Sequence, residues 1–293
     1  MNREQLCSRC ILLALLYSIV VSGCDLINPP ETIPTRIELE PVDLIVDVGQ
    51  GSDRHKITDL WVYADHNIIG VFPPSGDISY LGQSEQTTFS FRPGIRNNGI
   101  ASEAIIYPMY TPFEITLPTK EGDVSHINPV TRYLPDAEFS LLSDFETNNE
   151  FTDNRDSVAA SFVTRSTNDP FEGSYSGEIV LSEEANFIEV GHAFAMGDLP
   201  TDGTSTYLEF WYKSEMDMSI GILGISLDGQ QFSNFFYLVK PSENWNMLYI
   251  ELTGLLETSD FPAYKILFRS LYPDNATKPE LKIYLDNIKV VHL

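Results

Sequence analysis

Residues 206–214 read TYLEFWYKS, a stretch in which apolar side chains recur at every second position. Leu208, Phe210 and Tyr212 would point to one side of an extended strand, because successive side chains of a β-strand alternate between its two faces. This period of two predicts a strand with one buried face, whereas an amphipathic helix repeats its apolar residues every three or four positions. The opposite face would carry Tyr207, Glu209, Trp211 and Lys213.

Similar short stretches rich in Val, Ile, Phe and Tyr follow one another along the chain, separated by clusters of Gly, Pro, Asn and Asp. None keeps a period of 3.6 residues, and turn signals recur at roughly the 8–12-residue spacing that is typical of sandwiches. We therefore predict an all-β chain with two β-sandwich domains. The candidate strands lie within residues 36–48, 55–74, 87–94, 113–118, 126–133, 171–181, 206–214, 219–227, 235–241, 245–252, 264–272 and 281–291.

The start of the chain predicts an export signal. Arg3 and Arg9 supply positive charge before an apolar run at residues 11–21, and small residues then precede Cys24. The run is too short to cross a bilayer as a helix, which takes about 20 residues. This segment resembles the lipobox of bacterial lipoproteins, and the resemblance implies cleavage before Cys24 and acylation of that cysteine.

Four parts follow from these patterns. Residues 1–23 are predicted to be the lipoprotein signal peptide, and residues 24–35, with three prolines, an extended tether that begins at the acylated cysteine. Residues 36–134 and 138–293 are predicted to be the two sandwiches.

Composition narrows the class of function. Two of the three cysteines lie in the leader, so acylation of Cys24 would leave no thiol for a disulfide, a metal or catalysis. The formal net charge is −24. A strongly acidic surface repels phosphate backbones, which argues against a nucleic-acid partner.

Both predicted domains resemble known modules. Residues 55–133 resemble the Ig-like or transthyretin-like accessory domains of exported bacterial proteins, on the phrases DLWVYADHNIIGVFPP and FRPGIRNNGI. The second half resembles jelly-roll carbohydrate-binding modules, on the phrases SDFET at residues 143–147, FEGSYSGEIVL at 171–181 and IYLDNIKVV at 283–291. The two-part layout is similar to that of uncharacterised lipoproteins from Bacteroidota.

The jelly-roll resemblance implies a structural calcium ion between the first strand, a following loop and the last strand. Calcium takes hard oxygen ligands from carboxylates and backbone carbonyls. Glu146 and Asp286 stand at the matching phrases, and Gly173 could offer a carbonyl. The alternative is that Asp286 accepts hydrogen bonds from a turn and that Glu146 is solvated.

A sugar site needs aromatic faces together with planar polar groups that bind hydroxyls. The mixed faces of the predicted strands offer Trp211, Tyr249, Arg269 and Glu209 as candidates for glycan binding. The alternative is structural, because tryptophan and tyrosine also fill the second layer of sandwiches.

Signatures of an enzyme are missing from the sequence. Glu215-Met216-Asp217 begins like the acidic strand of retaining glycanases, but position 219 is Ser instead of a third acid. Two carboxylates must stand at a defined separation for glycoside hydrolysis, and no pair here is fixed in that way. The five histidines are scattered without metal-ligand spacing, so we predict that the protein is not an enzyme.

These observations predict a non-catalytic lipoprotein of the outer membrane, exposed at the cell surface, that binds a glycan through its second sandwich. The alternative is a structural or assembly subunit of an export, adhesion or motility complex in the envelope. In that case envelope proteins would contact the sheet of the second sandwich and the basic loop at residues 92–100, which Tyr107, Tyr110 and Phe113 follow. The expected partners are the membrane, through the lipid anchor, and a polysaccharide or envelope proteins.

Overall fold

The computed structural model describes residues 31–82, 84–156, 158, 160–197, 199–259 and 261–293. Within these ranges the chain forms 21 strands and one short helix, so the predicted all-β fold class is confirmed. No helix in the described part of the chain is long and apolar enough to span a membrane. The predicted leader and Cys24 lie outside the described residues.

The first sandwich packs one five-stranded sheet against two smaller sheets. The large sheet has the order β4-β3-β6-β7 with β8 also paired to β6, and the smaller sheets have the orders β5-β1-β9 and β10-β2. Strand β1 pairs in parallel with β9, and β2 pairs in parallel with β10. Both pairs join strands that are far apart in the sequence. The strands are β1 (Thr35–Leu39), β2 (Asp43–Ile45), β3 (Asp59–Ala64), β4 (Asn67–Phe72), β5 (Gly76–Tyr80), β6 (Gln86–Arg96), β7 (Ala104–Ile106), β8 (Phe113–Pro118), β9 (Val124–Ile127) and β10 (Val130–Arg132).

The second sandwich packs a six-stranded sheet against a five-stranded sheet. The six-stranded sheet has the order β13-β14-β21-β16-β19, with β11 also paired to β21, and the five-stranded sheet has the order β12-β15-β20-β17-β18. The elements are β11 (Glu138–Ser143), β12 (Asp153–Asn154), β13 (Val163–Ser166), β14 (Ser176–Ser182), β15 (Phe187–Gly191), β16 (Thr206–Ser214), β17 (Met218–Ile225), β18 (Gln231–Val239), β19 (Ser242–Glu251), the helix α1 (Thr253–Ser259), β20 (Ala263–Leu271) and β21 (Glu280–His292).

The alternation read from residues 206–214 holds in β16. Leu208, Phe210 and Tyr212 belong to the core between the two sheets of the second sandwich. On the neighbouring β21, Asn287 adopts a left-handed conformation with φ of 47°. There the register with β16 shifts by one residue, as in a β-bulge. Because of this extra residue, the side chains of both Asp286 and Lys289 point away from the core of the second sandwich.

The two sandwiches share a hydrophobic cluster. Tyr207, Met247, Tyr249 and Val291 of the six-stranded sheet are buried together with the core of the first sandwich. The ring of Tyr107 lies edge-on to the rings of Tyr207 and Tyr249, with centroids 5.0 and 4.9 Å apart. The first sandwich therefore covers part of the outer face of the six-stranded sheet.

Candidate functional site

Two of the four predicted sugar-binding residues are buried between the sandwiches. Glu209 is 0% exposed and Tyr249 is 2% exposed. Both point outward from the six-stranded sheet, as the alternation predicts, but the first sandwich lies on that face. The prediction that Glu209 and Tyr249 contact a polysaccharide is therefore wrong, because no polymer can reach them.

Glu209 instead holds the interface together. Its two carboxylate oxygens accept hydrogen bonds from the hydroxyls of Tyr107, at 2.5 Å, and Tyr133, at 2.8 Å. Burial, with the negative charge of Glu209 beside them, raises the pKa of both tyrosines well above its ordinary value. The Nζ of Lys289 donates to the Tyr133 hydroxyl at 3.3 Å, and burial lowers the pKa of this lysine.

The basic loop predicted as a contact surface makes its contact within the chain. Asn98 donates its backbone N–H to the carbonyl of Tyr249 at 2.9 Å and accepts the N–H of Glu251 on its side-chain oxygen at 2.9 Å. Asn97 donates from its side-chain amide to Glu251 at 3.0 Å. Because β19 is the edge strand of its sheet, this loop satisfies backbone groups that would otherwise be unpaired.

Trp211 is half-buried, and its ring is already stacked. Phe171 lies against it with ring centroids 3.9 Å apart and an interplanar angle of 17°. Trp245 packs on the same phenylalanine at 5.6 Å. A sugar ring would have to displace Phe171 from Trp211, so the structural alternative describes this tryptophan better than the glycan prediction does.

Arg269 lies on the other sheet, away from the other three candidates. It is paired across strands with Glu189 of β15 and donates to that carboxylate from Nε at 3.1 Å and from Nη2 at 2.8 Å. Its guanidinium lies 3.4 Å above the ring centroid of Phe235 on β18. The sequence pattern gave no reason to select Glu189 or Phe235, because both become partners of Arg269 only through strand register.

Further ionic contacts extend from Arg269 across the five-stranded sheet. Lys265 donates to Asp153 at 2.8 Å. Arg155 lies 3.5 Å from Asp153 and 3.7 Å from Glu189, and it donates from Nη1 to Gln231 at 2.9 Å. We call this surface the charged face. It comprises Asp153, Arg155, Glu189, Gln231, Phe235, Lys265 and Arg269.

A hydrogen bond within the charged face joins residues beside the two edge strands of the sheet. Arg155 follows β12 at one edge of the sheet, and its partner Gln231 begins β18 at the opposite edge. Leu223 and Leu267 are 0% exposed although they alternate with core residues and so point outward. The charged residues occupy the same outward side of the sheet, which accounts for the burial of these leucines.

A cavity of about 480 Å³ opens at the Arg269 end of the charged face. Ser219, Leu238 and Leu271 line it beside the arginine. This volume lies within the range of about 300–1,000 Å³ that is typical of small-molecule sites. The charged face therefore combines a cavity, an aromatic ring and planar polar groups that partners hold in place.

The three predicted calcium ligands do come together. Glu146, Gly173 and Asp286 line one cavity of about 300 Å³, which Asp144 and Glu172 also line. The donor types suit calcium, which takes hard oxygen ligands. Within the described ranges, however, no group of three or more His, Cys, Asp or Glu side chains is placed to hold a metal.

Backbone donors occupy the acidic oxygens at this place. Glu146 accepts the N–H groups of Ser174 and Tyr175 at 2.8 Å, and Asp286 accepts those of Phe171 and Glu172 at 3.1 and 3.3 Å. Burial raises the pKa of Asp286 to about 7, against these hydrogen bonds, and the charge of Glu146 adds to the rise. A bound cation would stabilise the ionised form of Asp286. For this reason we keep calcium binding at this place as a proposal.

Calcium should stabilise the folded chain if this proposal holds. We expect the Tm of residues 25–293 to be higher in calcium than in chelator. At a calcium concentration a hundredfold above Kd, binding would raise the free energy of unfolding by about 2.7 kcal/mol. Asp286→Asn should abolish the difference, whereas Asp77→Asn, at an exposed strand residue, should retain it. An identical Tm in calcium and in chelator would contradict the calcium proposal. Glu146 and Asp286 would then serve only to accept hydrogen bonds from the 171–175 loop.

No protein-family model matches the chain, and no curated protein matches it in sequence. Among solved structures, it is similar to the CBM22-1 xylan-binding domain from Paenibacillus barcinonensis Xyn10C, with 13% identity, a TM-score of 0.38, and coverage of 53% of this chain and 95% of that one. The family 11 carbohydrate-binding module of the Clostridium thermocellum cellulase Lic26A-Cel5E matches with 15% identity, a TM-score of 0.39, and coverage of 53% and 95%. The enzymatically active domain of bacteriophage CBA120 tailspike protein 4 matches with 13% identity and a TM-score of 0.41, over 58% of this chain and 26% of that one. All three matches are remote in sequence and in geometry.

Proposed function

We propose that this protein is a non-catalytic glycan-binding protein and that the charged face is its binding surface. The observation that carries this proposal is the fixed array around Arg269, in which a guanidinium stacks on Phe235 and pairs with Glu189 beside an open cavity. The first sandwich covers part of the other sheet through contacts to β16 and β19, whereas the charged face belongs to the five-stranded sheet.

Sugar hydroxyls both donate and accept hydrogen bonds, and they need both kinds of partner. Arg155, Lys265 and Arg269 supply donors, Glu189 supplies acceptors, and the Gln231 amide supplies both. Ion pairs already hold most of these side chains, with Glu189 only 13% and Arg155 only 19% exposed. Binding would therefore cost little additional side-chain entropy, which favours affinity.

We further propose that the chain is attached to the outer membrane through acyl groups on Cys24. The support is the order of the leader, with basic residues, an apolar run and then small residues before the cysteine. Stable anchoring requires more than one acyl chain or a second membrane signal. A surface lipoprotein of this kind would present many copies of a weak glycan site, and multivalency would raise the overall affinity.

The test is the binding of residues 25–293 to a broad panel of polysaccharides. We expect Arg269→Ala to weaken binding at least about tenfold, which corresponds to about 1.4 kcal/mol. Arg92→Ala is the matched control, because Arg92 also stacks on an aromatic ring, that of Tyr63, but lies on the first sandwich. Both variants should retain the Tm of the parent chain within a few degrees.

Two results would contradict the proposal. Equal loss of binding in Arg92→Ala and Arg269→Ala would mean that the charged face is not the site. An absence of binding to every polysaccharide would favour the alternative, an assembly subunit of the envelope, and co-purification from native membranes would then identify its protein partners.

A further inference from the structure

The charged face carries more positive than negative charge. Its three cationic side chains are Arg155, Lys265 and Arg269, and they share only the carboxylates of Asp153 and Glu189. The chain as a whole has a formal net charge of −24. Counted over these five side chains, the charged face has a surplus of one positive charge at the proposed glycan site of an acidic protein.

Because two arginines share the carboxylate of Glu189, some of their N–H groups have no acceptor among the residues that the structure describes. Arg269 directs Nε and Nη2 to one oxygen of Glu189, and its Nη1 donates to none of the described residues. Arg155 also lies beside Glu189, but its Nε is buried without a hydrogen-bond acceptor in the described part of the chain. An anionic ligand would supply an acceptor for Nη1 of Arg269 and balance the surplus charge.

Two other acids, Glu215 and Asp217, line the cavity beside Arg269, and each is paired with a lysine, Lys278 and Lys240 respectively. Ionic interactions between exposed charges decay over about 8 Å at physiological salt, so distant carboxylates repel a bound anion only weakly. Charge-assisted hydrogen bonds act at contact and are about twice as strong as neutral ones. The local surplus on the charged face would therefore outweigh the long-range field for a ligand in contact with Arg269.

We propose that the charged face selects glycans that carry carboxylates, that is, polymers containing uronic acids, with a carboxylate held at Arg269. This inference rests on the proposed glycan-binding function and narrows it to acidic sugars. The guanidinium is planar and suits the planar carboxylate group. Its stacking on Phe235 fixes the plane in which a ligand can approach.

The test compares uronic acid polymers with the same polymers after reduction of their carboxylates to alcohols. Polygalacturonate, alginate and hyaluronan would each be assayed with its reduced form against residues 25–293. We expect each acidic polymer that binds to do so at least about tenfold more tightly than its reduced form. Added salt should weaken the acidic interaction and leave the neutral one almost unchanged.

Arg269→Gln supplies the decisive variant, because glutamine keeps hydrogen-bonding groups and removes the charge. We expect it to abolish the preference for the acidic form, whereas Lys120→Gln, which removes an exposed cation from the first sandwich, should preserve the preference. Thermal unfolding of both variants would show that they fold.

The outcomes separate this inference from the proposed function. Equal binding of acidic and reduced polymers, or a preference that survives in Arg269→Gln, would overturn the acidic selectivity and leave glycan binding standing. Binding of neutral polysaccharides alone would overturn it in the same way. If no polysaccharide of either kind bound, the proposed function itself would fail.

Discussion

Replacing Glu209 by alanine is expected to lower the free energy of unfolding by about 3–5 kcal/mol, the usual cost of removing one member of a buried charged network. The carboxylate is fully buried and accepts hydrogen bonds from Tyr107 and Tyr133. Without it, two buried hydroxyls lose their acceptor, and the buried Lys289 loses the carboxylate that acts on it most strongly. Each of these losses carries a desolvation cost that the alanine methyl cannot offset.

Chemical denaturation of residues 25–293 would measure this loss. Glu209→Gln should be less damaging than Glu209→Ala, because the amide oxygen can still accept one tyrosine hydroxyl. Glu121→Ala, at an exposed position, should change stability by less than about 0.5 kcal/mol. A loss of under about 1 kcal/mol in Glu209→Ala would show that the interface does not depend on this carboxylate.

The second sandwich produced alone, as residues 136–293, is expected to self-associate or to remain unfolded. Separation would expose Tyr207, Met247, Tyr249 and Val291, which the first sandwich now covers. Each large apolar side chain that loses full burial forgoes about 1.5–3 kcal/mol. It would also remove from Glu209 its two tyrosine donors and from Lys289 its acceptors, which all belong to the first part of the chain.

Calorimetry of residues 25–293 should show a single transition, since the two sandwiches share a core and should unfold together. Size-exclusion chromatography of residues 136–293 should show aggregates or an expanded chain. A monomeric second sandwich with the Tm of the parent chain, or two separate transitions in the parent, would show that each sandwich is stable by itself.

The sequence pattern predicted which side of each strand is apolar, and it did so well in β16. Leu208, Phe210 and Tyr212 lie in the core, and Glu209 points the other way. Alternation identifies the two sides of a strand, but it says nothing about what lies on the outward side. The burial of Glu209 and Tyr249 follows from the placement of another sandwich, which a local pattern cannot encode.

The charged face was largely hidden in the sequence for a related reason. Arg155 lies in a polar stretch that is typical of a solvated loop, and Gln231 follows it by 76 positions, yet their side chains are hydrogen-bonded. Glu189 becomes the partner of Arg269 through the register of β15 and β20. The jelly-roll resemblance did predict one meeting of distant residues. It implied that Glu146, Gly173 and Asp286 lie near one another, and the three line one cavity.

The position of β21 has a consequence for the order in which the chain folds. This strand follows all others in sequence, yet it pairs with β11, β14 and β16 in the interior of its sheet. Its contacts with β11 close a loop of about 150 residues, and such non-local pairings make folding slow. The six-stranded sheet therefore cannot form before β21 has been synthesised, and neither can the complete surface on which the first sandwich docks. Until β21 has been synthesised, the second sandwich lacks an interior strand and stays unfolded, which is also the state in which a chain can be threaded through a narrow channel.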